Sequence, residues 1–108
     1  MRLIDLQSML ELEILSDSPE CEITGGYTSD LLSDVLAHAE DGDALITIQA
    51  HNNTVAVASH VGAPAIIICN ARPIPDAMTA AAEEYGIALV RTALNQFQVS
   101  GRLYEALR

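Results

Sequence analysis

Asp30 and Asp34 stand one helical turn apart in the chain, with Ser29 and Ser33 beside them. Two carboxylates at that spacing, joined by the imidazole of His51, could hold a divalent cation or divide the work of a general acid and base. The same pair equally describes the acidic first turn of an exposed helix, where carboxylates favour the positive end of the dipole. The run Gln49-Ala50-His51-Asn52-Asn53 collects donors and acceptors where a helix begins, a setting that welcomes an anion or a carbonyl. Its plainer reading is a cap, with Asn52 or more readily Asn53 as the capping residue and His51 a solvated loop residue. Asn70 and Arg72 follow a buried apolar run. Arg72 could reach a phosphate or carboxylate there, or form an ordinary surface ion pair. The candidate ligand-binding set is therefore Ser29, Asp30, Gln49, His51, Asn52, Asn70 and Arg72, with no catalytic residue, metal ligand or cofactor assigned.

Other chemistries find less support. Phosphoryl transfer needs a phosphate cradle, a lysine and metal-holding carboxylates, yet the chain has no GxxxxGK[ST] motif and no lysine. No serine sits in a GxSxG elbow. Cys69 would become a nucleophile beside a helix terminus or an imidazole such as that of His51, and is otherwise an inert core thiol. Cys21 and Cys69 are far apart and outside any CxxC pair, so they suggest neither a metal knuckle nor a disulfide framework. His38 and His60 fall on helices as packing or surface residues.

The elements that must position these residues centre on Ala44 to Asn70. Two β-branched-rich runs, Ala44 to Ile48 and Ala65 to Cys69, are each about one strand long. Thr54 to Val61 is just long enough to cross between them, which implies a right-handed βαβ unit in a parallel sheet. The polar turn then lies at the carboxyl end of a strand, where open α/β sheets bind ligands.

The flanking chain reads in order. Leu3, Leu6, Met9 and Leu10 predict a first helix. Glu11 to Leu15 alternates as a strand, Ser16 to Pro19 is a turn, and Cys21 and Ile23 mark a second strand that Gly25-Gly26 ends or bends. Tyr27 to Asp30 offer caps for a helix carrying Leu31, Leu32, Val35, Leu36 and Ala39. A helix runs from Pro75 to Tyr85 with Gly86 as its stop, and Ile87 to Thr92 is a strand. A last helix from about Ala93 carries Phe97, Leu103, Tyr104 and Leu107 on its apolar face, with Gly101 at a close packing point. The expected architecture is α/β: a single domain over 1–108 with about five strands, largely parallel, and covering helices. Strand order is not legible from these residues.

Fifteen acidic residues against five arginines give a formal charge of −10. Such a surface repels nucleic acid and anionic membranes. No window approaches the length of a membrane span, and the first ten residues lack a signal-peptide pattern, so a cytoplasmic location is expected.

The segments ITIQAHNNTVAVA, AIIICNARPIPDAMTAAAEEYGIALVRT and FQVSGRLY, in that order, resemble the DRTGG domain. GGYTSDLLSDVLAHA together with TIQAHNNTVAVA resembles the small stand-alone bacterial proteins of that group, which are similar to the amino-terminal, non-catalytic domain of HPr kinase/phosphorylase. The resemblance covers nearly the whole chain. It implies an α/β fold and a regulatory or oligomer-forming role, as where DRTGG domains sit inside phosphotransacetylases or between the CBS domains of some pyrophosphatases. The family's Asp-Arg falls here at His51-Asn52 and its Thr-Gly-Gly at Cys69-Asn70-Ala71, so a role tied to those charges does not transfer. Thr24-Gly25-Gly26 is a separate Gly-Gly.

Three functional readings follow. The first is a non-catalytic regulatory or oligomerisation module, a homo-oligomer and foremost a dimer, binding a small polar or anionic ligand at the strand ends. Its oligomer call draws on the resemblance and on the Ala-rich helix Ala77 to Ala82. The second is a small metal-dependent enzyme using Asp30, Asp34 and His51. The third is an acidic protein-interaction module that docks a basic partner.

Overall fold

A computed structural model describes residues 1–16 and 20–108. The expected turn at Ser16 to Pro19 therefore lies largely outside the described residues. The elements in chain order are α1 (Leu3–Leu10), β1 (Glu13–Ile14), β2 (Gly25–Thr28), α2 (Leu32–His38), β3 (Asp43–Thr47), α3 (Asn52–Val61), β4 (Ala65–Ile68), α4 (Asp76–Tyr85), β5 (Ala88–Arg91) and α5 (Gln96–Leu107).

The strands form one sheet in the order β1-β5-β4-β3-β2, with β2 to β5 parallel and β1 antiparallel at the β5 edge. Alternation along the strands explains the layering. Leu45, Ile66, Ile68 and Leu89 face Val35, Val55, Ala58, Met78 and Ala82, so α2, α3 and α4 cover one side. Ala44, Ile46, Ala65, Ile67, Ala88 and Val90 face Leu3, Leu6, Leu10, Val99 and Leu103, so α1 and α5 cover the other. Burial on both sides is why β3 and β4 read as unbroken apolar runs rather than as alternating ones.

The expected α/β domain with a largely parallel five-stranded sheet is thus the observed one. The βαβ unit is present as parallel β3 and β4 joined by α3, which begins at Asn52, ahead of the expected Thr54. Gly62 ends α3 and Gly86 ends α4, both left-handed at φ 79° and 69°. Several local expectations are corrected. Gly25 and Gly26 do not end a strand; they begin β2, and the Cys21 region contributes only an isolated bridge between Arg2 and Glu22. The alternation of Glu11 to Leu15 shrinks to two paired residues, because α1 ends in a left-handed Glu11 at φ 53°. A Cβ on Gly101 would meet nothing within 4 Å among the described residues, so it is not a close packing point. Phe97 and Tyr104 are 87% and 67% exposed, while Val99 and Leu103 carry the buried face of α5. An apolar residue on an amphipathic helix need not be core, since folded proteins leave much apolar surface in water.

Candidate functional site

The carboxyl ends of β2 to β5 deliver Ser29 and Asp30, Ile48 and Gln49, Cys69 to Arg72, and Thr92 to Gln96 to a common rim. Asp30 ties that rim together. Its Oδ1 accepts from Thr47 Oγ1 at 2.9 Å, from the Ile48 backbone N–H at 2.9 Å and from Gln96 Nε2 at 3.1 Å. One carboxylate oxygen thereby joins the end of β3 to the start of α5, and Oδ2 has no partner among the described residues. Gln49 completes the arrangement: its Nε2 donates to the Asp30 carbonyl at 3.0 Å and its N–H to Thr47 Oγ1 at 3.1 Å. Thr47 is fully buried, so these bonds also satisfy a hydroxyl that water cannot reach.

Asp30 and Gln49 are thus brought together, and both are half-buried. Ser29 lies beside them, its N–H bonded to the Ile46 carbonyl and its Oγ accepting from the Leu31 N–H at 3.1 Å. His51, Asn52, Asn70 and Arg72 are exposed on the same rim. His51 is the N-cap residue of α3 with extended backbone, yet neither it nor either asparagine caps the helix. Instead Thr54 Oγ1 donates to the Gln49 carbonyl at 2.7 Å, which corrects the expected cap at Asn52 or Asn53. The Arg72 carbonyl accepts from Arg91 Nη1 at 3.4 Å, while the Arg72 guanidinium has no partner among the described residues.

Asn70 and Ala71 both adopt left-handed backbone, at φ 61° and 51°. Their N–H groups donate to the Leu94 and Thr92 carbonyls at 2.9 and 2.8 Å, and these bonds hold a conformation that non-glycine residues enter at a cost.

Sequence reasoning missed Thr47, Thr54 and Gln96. A threonine closing a buried strand signals a hydroxyl in need of partners. Nothing local links Gln96 to Asp30, sixty-six residues away.

The two carboxylates that sequence spacing paired do different work. Asp34 Oδ2 accepts from Tyr27 Oη at 2.6 Å, and Oδ1 meets His38 Nδ1 at 3.0 Å. The Tyr27 hydroxyl, and after it the His38 ring, hold Asp34 below the ordinary carboxylate value, although desolvation opposes them. Among the described residues no three His, Cys, Asp or Glu side chains gather as a metal site, so Asp30, Asp34 and His51 do not form the expected triad. The Cys69 thiol is buried and its pKa is pushed up to about 11, first by burial and then by the Asp30 carboxylate. It makes no bond to His51; its Sγ approaches the Ile67 carbonyl at 3.9 Å. Cys69 is therefore a protonated core thiol at neutral pH rather than a nucleophile.

A separate open cleft of about 670 Å³ runs along β2. It is walled by Gly25 to Thr28, by Leu103, Tyr104 and Leu107 of α5, and by Glu40 and Asp43, and contains none of the seven candidate rim residues. The topology explains the separation. The parallel strands follow one another in a single direction with their crossover helices on one face, so no reversal of strand order opens a crevice at the rim.

No protein-family model matches the chain, and no curated protein matches it. Among solved structures it is similar to the CBS and DRTGG domains of the regulatory region of a Clostridium perfringens pyrophosphatase, determined with the activator diadenosine tetraphosphate. The TM-score is 0.78 at 15% identity, over 98% of this chain and 47% of that one. The chain thus spans about half of that structure, and the likeness establishes a shared fold. Among the described residues no helix is long and apolar enough to cross a membrane.

Proposed function

We propose that the chain is a non-catalytic regulatory module of the DRTGG type, similar to the amino-terminal domain of HPr kinase/phosphorylase. In this reading it is a homo-oligomer that binds a small polar or anionic ligand at the rim. The observation that carries the reading is the Asp30 knot: a carboxylate that joins its own loop to the end of β3 and the start of α5, beside exposed His51, Asn52, Asn70 and Arg72 whose side chains have no hydrogen-bond partner among the described residues. A rigid base with free polar tips is what preorganised recognition needs. Two further observations support it. The fold is shared with the regulatory region of a pyrophosphatase. Asn70 and Ala71, standing where the family's paired glycines fall, both have the left-handed φ that glycine adopts at least cost.

Because the pyrophosphatase region was determined with a dinucleoside polyphosphate, adenine nucleotides are the first ligands to test. A thermal-shift screen of nucleotides and phosphorylated metabolites is the direct experiment, since a ligand that prefers the native state raises the melting point. Stabilisation that is lost in Arg72→Ala and Asn70→Ala supports the reading. A screen in which no compound stabilises the protein removes the ligand from it.

A further inference from the structure

The two edges of the sheet are built differently. β1 is two residues long, and its Glu13 is engaged by Arg91 Nη2 at 2.8 Å, so that edge is short and charged. β2 carries Gly-Gly-Tyr-Thr, with no charge and no proline, and among the described residues no strand lies beyond it. An edge without such protection is a template for pairing with another strand. The Ser29 N–H bonds inward to the Ile46 carbonyl. By the alternation of a parallel ladder, the backbone groups of Tyr27 then also face β3, and those of Gly26 and Thr28 face outward. Both outward residues are exposed, whereas Gly25 and Tyr27 are not.

We infer that β2 pairs with β2 of a second copy in antiparallel register about a twofold axis at Tyr27, continuing the sheet from one protomer into the other. This rests on the oligomer part of the proposed function and names its interface. With Tyr27 opposite its own copy, Gly26 of each chain exchanges backbone hydrogen bonds with Thr28 of the other, so both outward residues are used. Charge argues for a second copy over a different partner. An isologous surface must complement itself, and in a chain with fifteen acids and five arginines the cleft beside β2 holds both signs: Glu40 and Asp43 with Arg108. Leu107 and the exposed Tyr104 supply apolar area along the same border. The side chains that hold the protomer together stay intact, because Tyr27 Oη points to Asp34 and Thr28 Oγ1 meets Ser100 Oγ at 2.6 Å.

The test is sedimentation equilibrium across micromolar to millimolar concentration on the wild type, Thr28→Pro and Thr28→Val. Proline removes an outward N–H at a position where an edge strand tolerates it. Valine removes only the Ser100 contact. A reversible wild-type dimer that valine preserves and proline weakens by roughly tenfold or more supports the inference. A dimer that survives Thr28→Pro overturns the interface and leaves the oligomer reading standing. A wild type that is monomeric throughout overturns both. Should Thr28→Pro fail to fold, amide exchange in the wild type decides: Gly26 and Thr28 N–H groups protected only at dimer-forming concentrations support the pairing, and free exchange there overturns it.

Discussion

Removing the Asp30 carboxylate should loosen the rim by an amount that its contacts set. Oδ1 accepts three donors at 2.9, 2.9 and 3.1 Å, and a hydrogen bond to a charged acceptor contributes about 1.5–3 kcal/mol net. Those magnitudes do not add here, because the group is half-exposed and water can reach the Gln96 amide in its place. The Ile48 N–H and the buried Thr47 hydroxyl are harder to satisfy. Asp30→Ala is therefore expected to cost about 2–3 kcal/mol. Asp30→Asn keeps an oxygen for those donors and loses the charge, which roughly halves each bond; about 1 kcal/mol is expected. For a domain of this size 1 kcal/mol is about 4 °C in Tm, so calorimetry should place the alanine variant about 10 °C below the wild type and the asparagine variant between them. A second readout separates charge from packing. Burial is the main reason the Cys69 thiol is raised to about 11, but the Asp30 charge adds to it, so both variants should lower the thiol pKa whatever their stability. An Asp30→Ala protein within about 0.5 kcal/mol of the wild type, with Cys69 titrating unchanged, would refute the knot.

Three further outcomes are expected. Ala71→Gly relieves a left-handed residue at φ 51° and should stabilise the fold by about 0.5–1 kcal/mol after the entropy that glycine loses is deducted; denaturant titration measures it, and a destabilised variant contradicts it. Burial raises both thiols, but Cys69 is the more buried and should resist thiol reagents at pH 8 until the chain unfolds, while the half-buried Cys21 is alkylated first in the native protein, as a mass-spectrometric time course will show. Asp34 has a folded pKa below its ordinary 3.8. Its contribution to stability is therefore complete above that value and is lost as pH falls through the depressed one. Tyr27→Phe should return the Asp34 carboxyl toward 3.8 in an NMR titration, and an unmoved resonance would show that the tyrosine is not the cause.

The fold was legible where a single physical pattern dominated. Ala44 to Ile48 and Ala65 to Cys69 are apolar on both faces because helices cover both sides of the sheet, and that composition alone identifies them. Gly86 and Pro75 punctuate α4 through local backbone chemistry, so its ends were readable to within a residue. Gly25 and Gly26 misled, because glycine usually breaks a strand, whereas here it begins the edge strand, and a Cβ on Gly26 would come within 2.9 Å of Leu103. Phe97 misled in the opposite sense, since helical spacing identifies a face but not what that face meets. At the rim, Gln49 to Asn53 and Asn70 to Arg72 were readable as turns that follow parallel strands, because strand direction alone puts them at one end. It could not assign their roles. Asp30 and Asp34 look equivalent in sequence, yet tertiary contacts with Gln96 and Tyr27 give one an organising role and the other a link between α2 and β2.

The most direct measurement is an amide and side-chain NMR titration of the intact protein with the nucleotide that stabilises it most. The account predicts saturable shifts at His51, Asn52, Asn70 and Arg72, with Asp30 and Gln49 perturbed as their support. Shifts confined to the cleft along β2, or no saturable shift with any nucleotide, would contradict it.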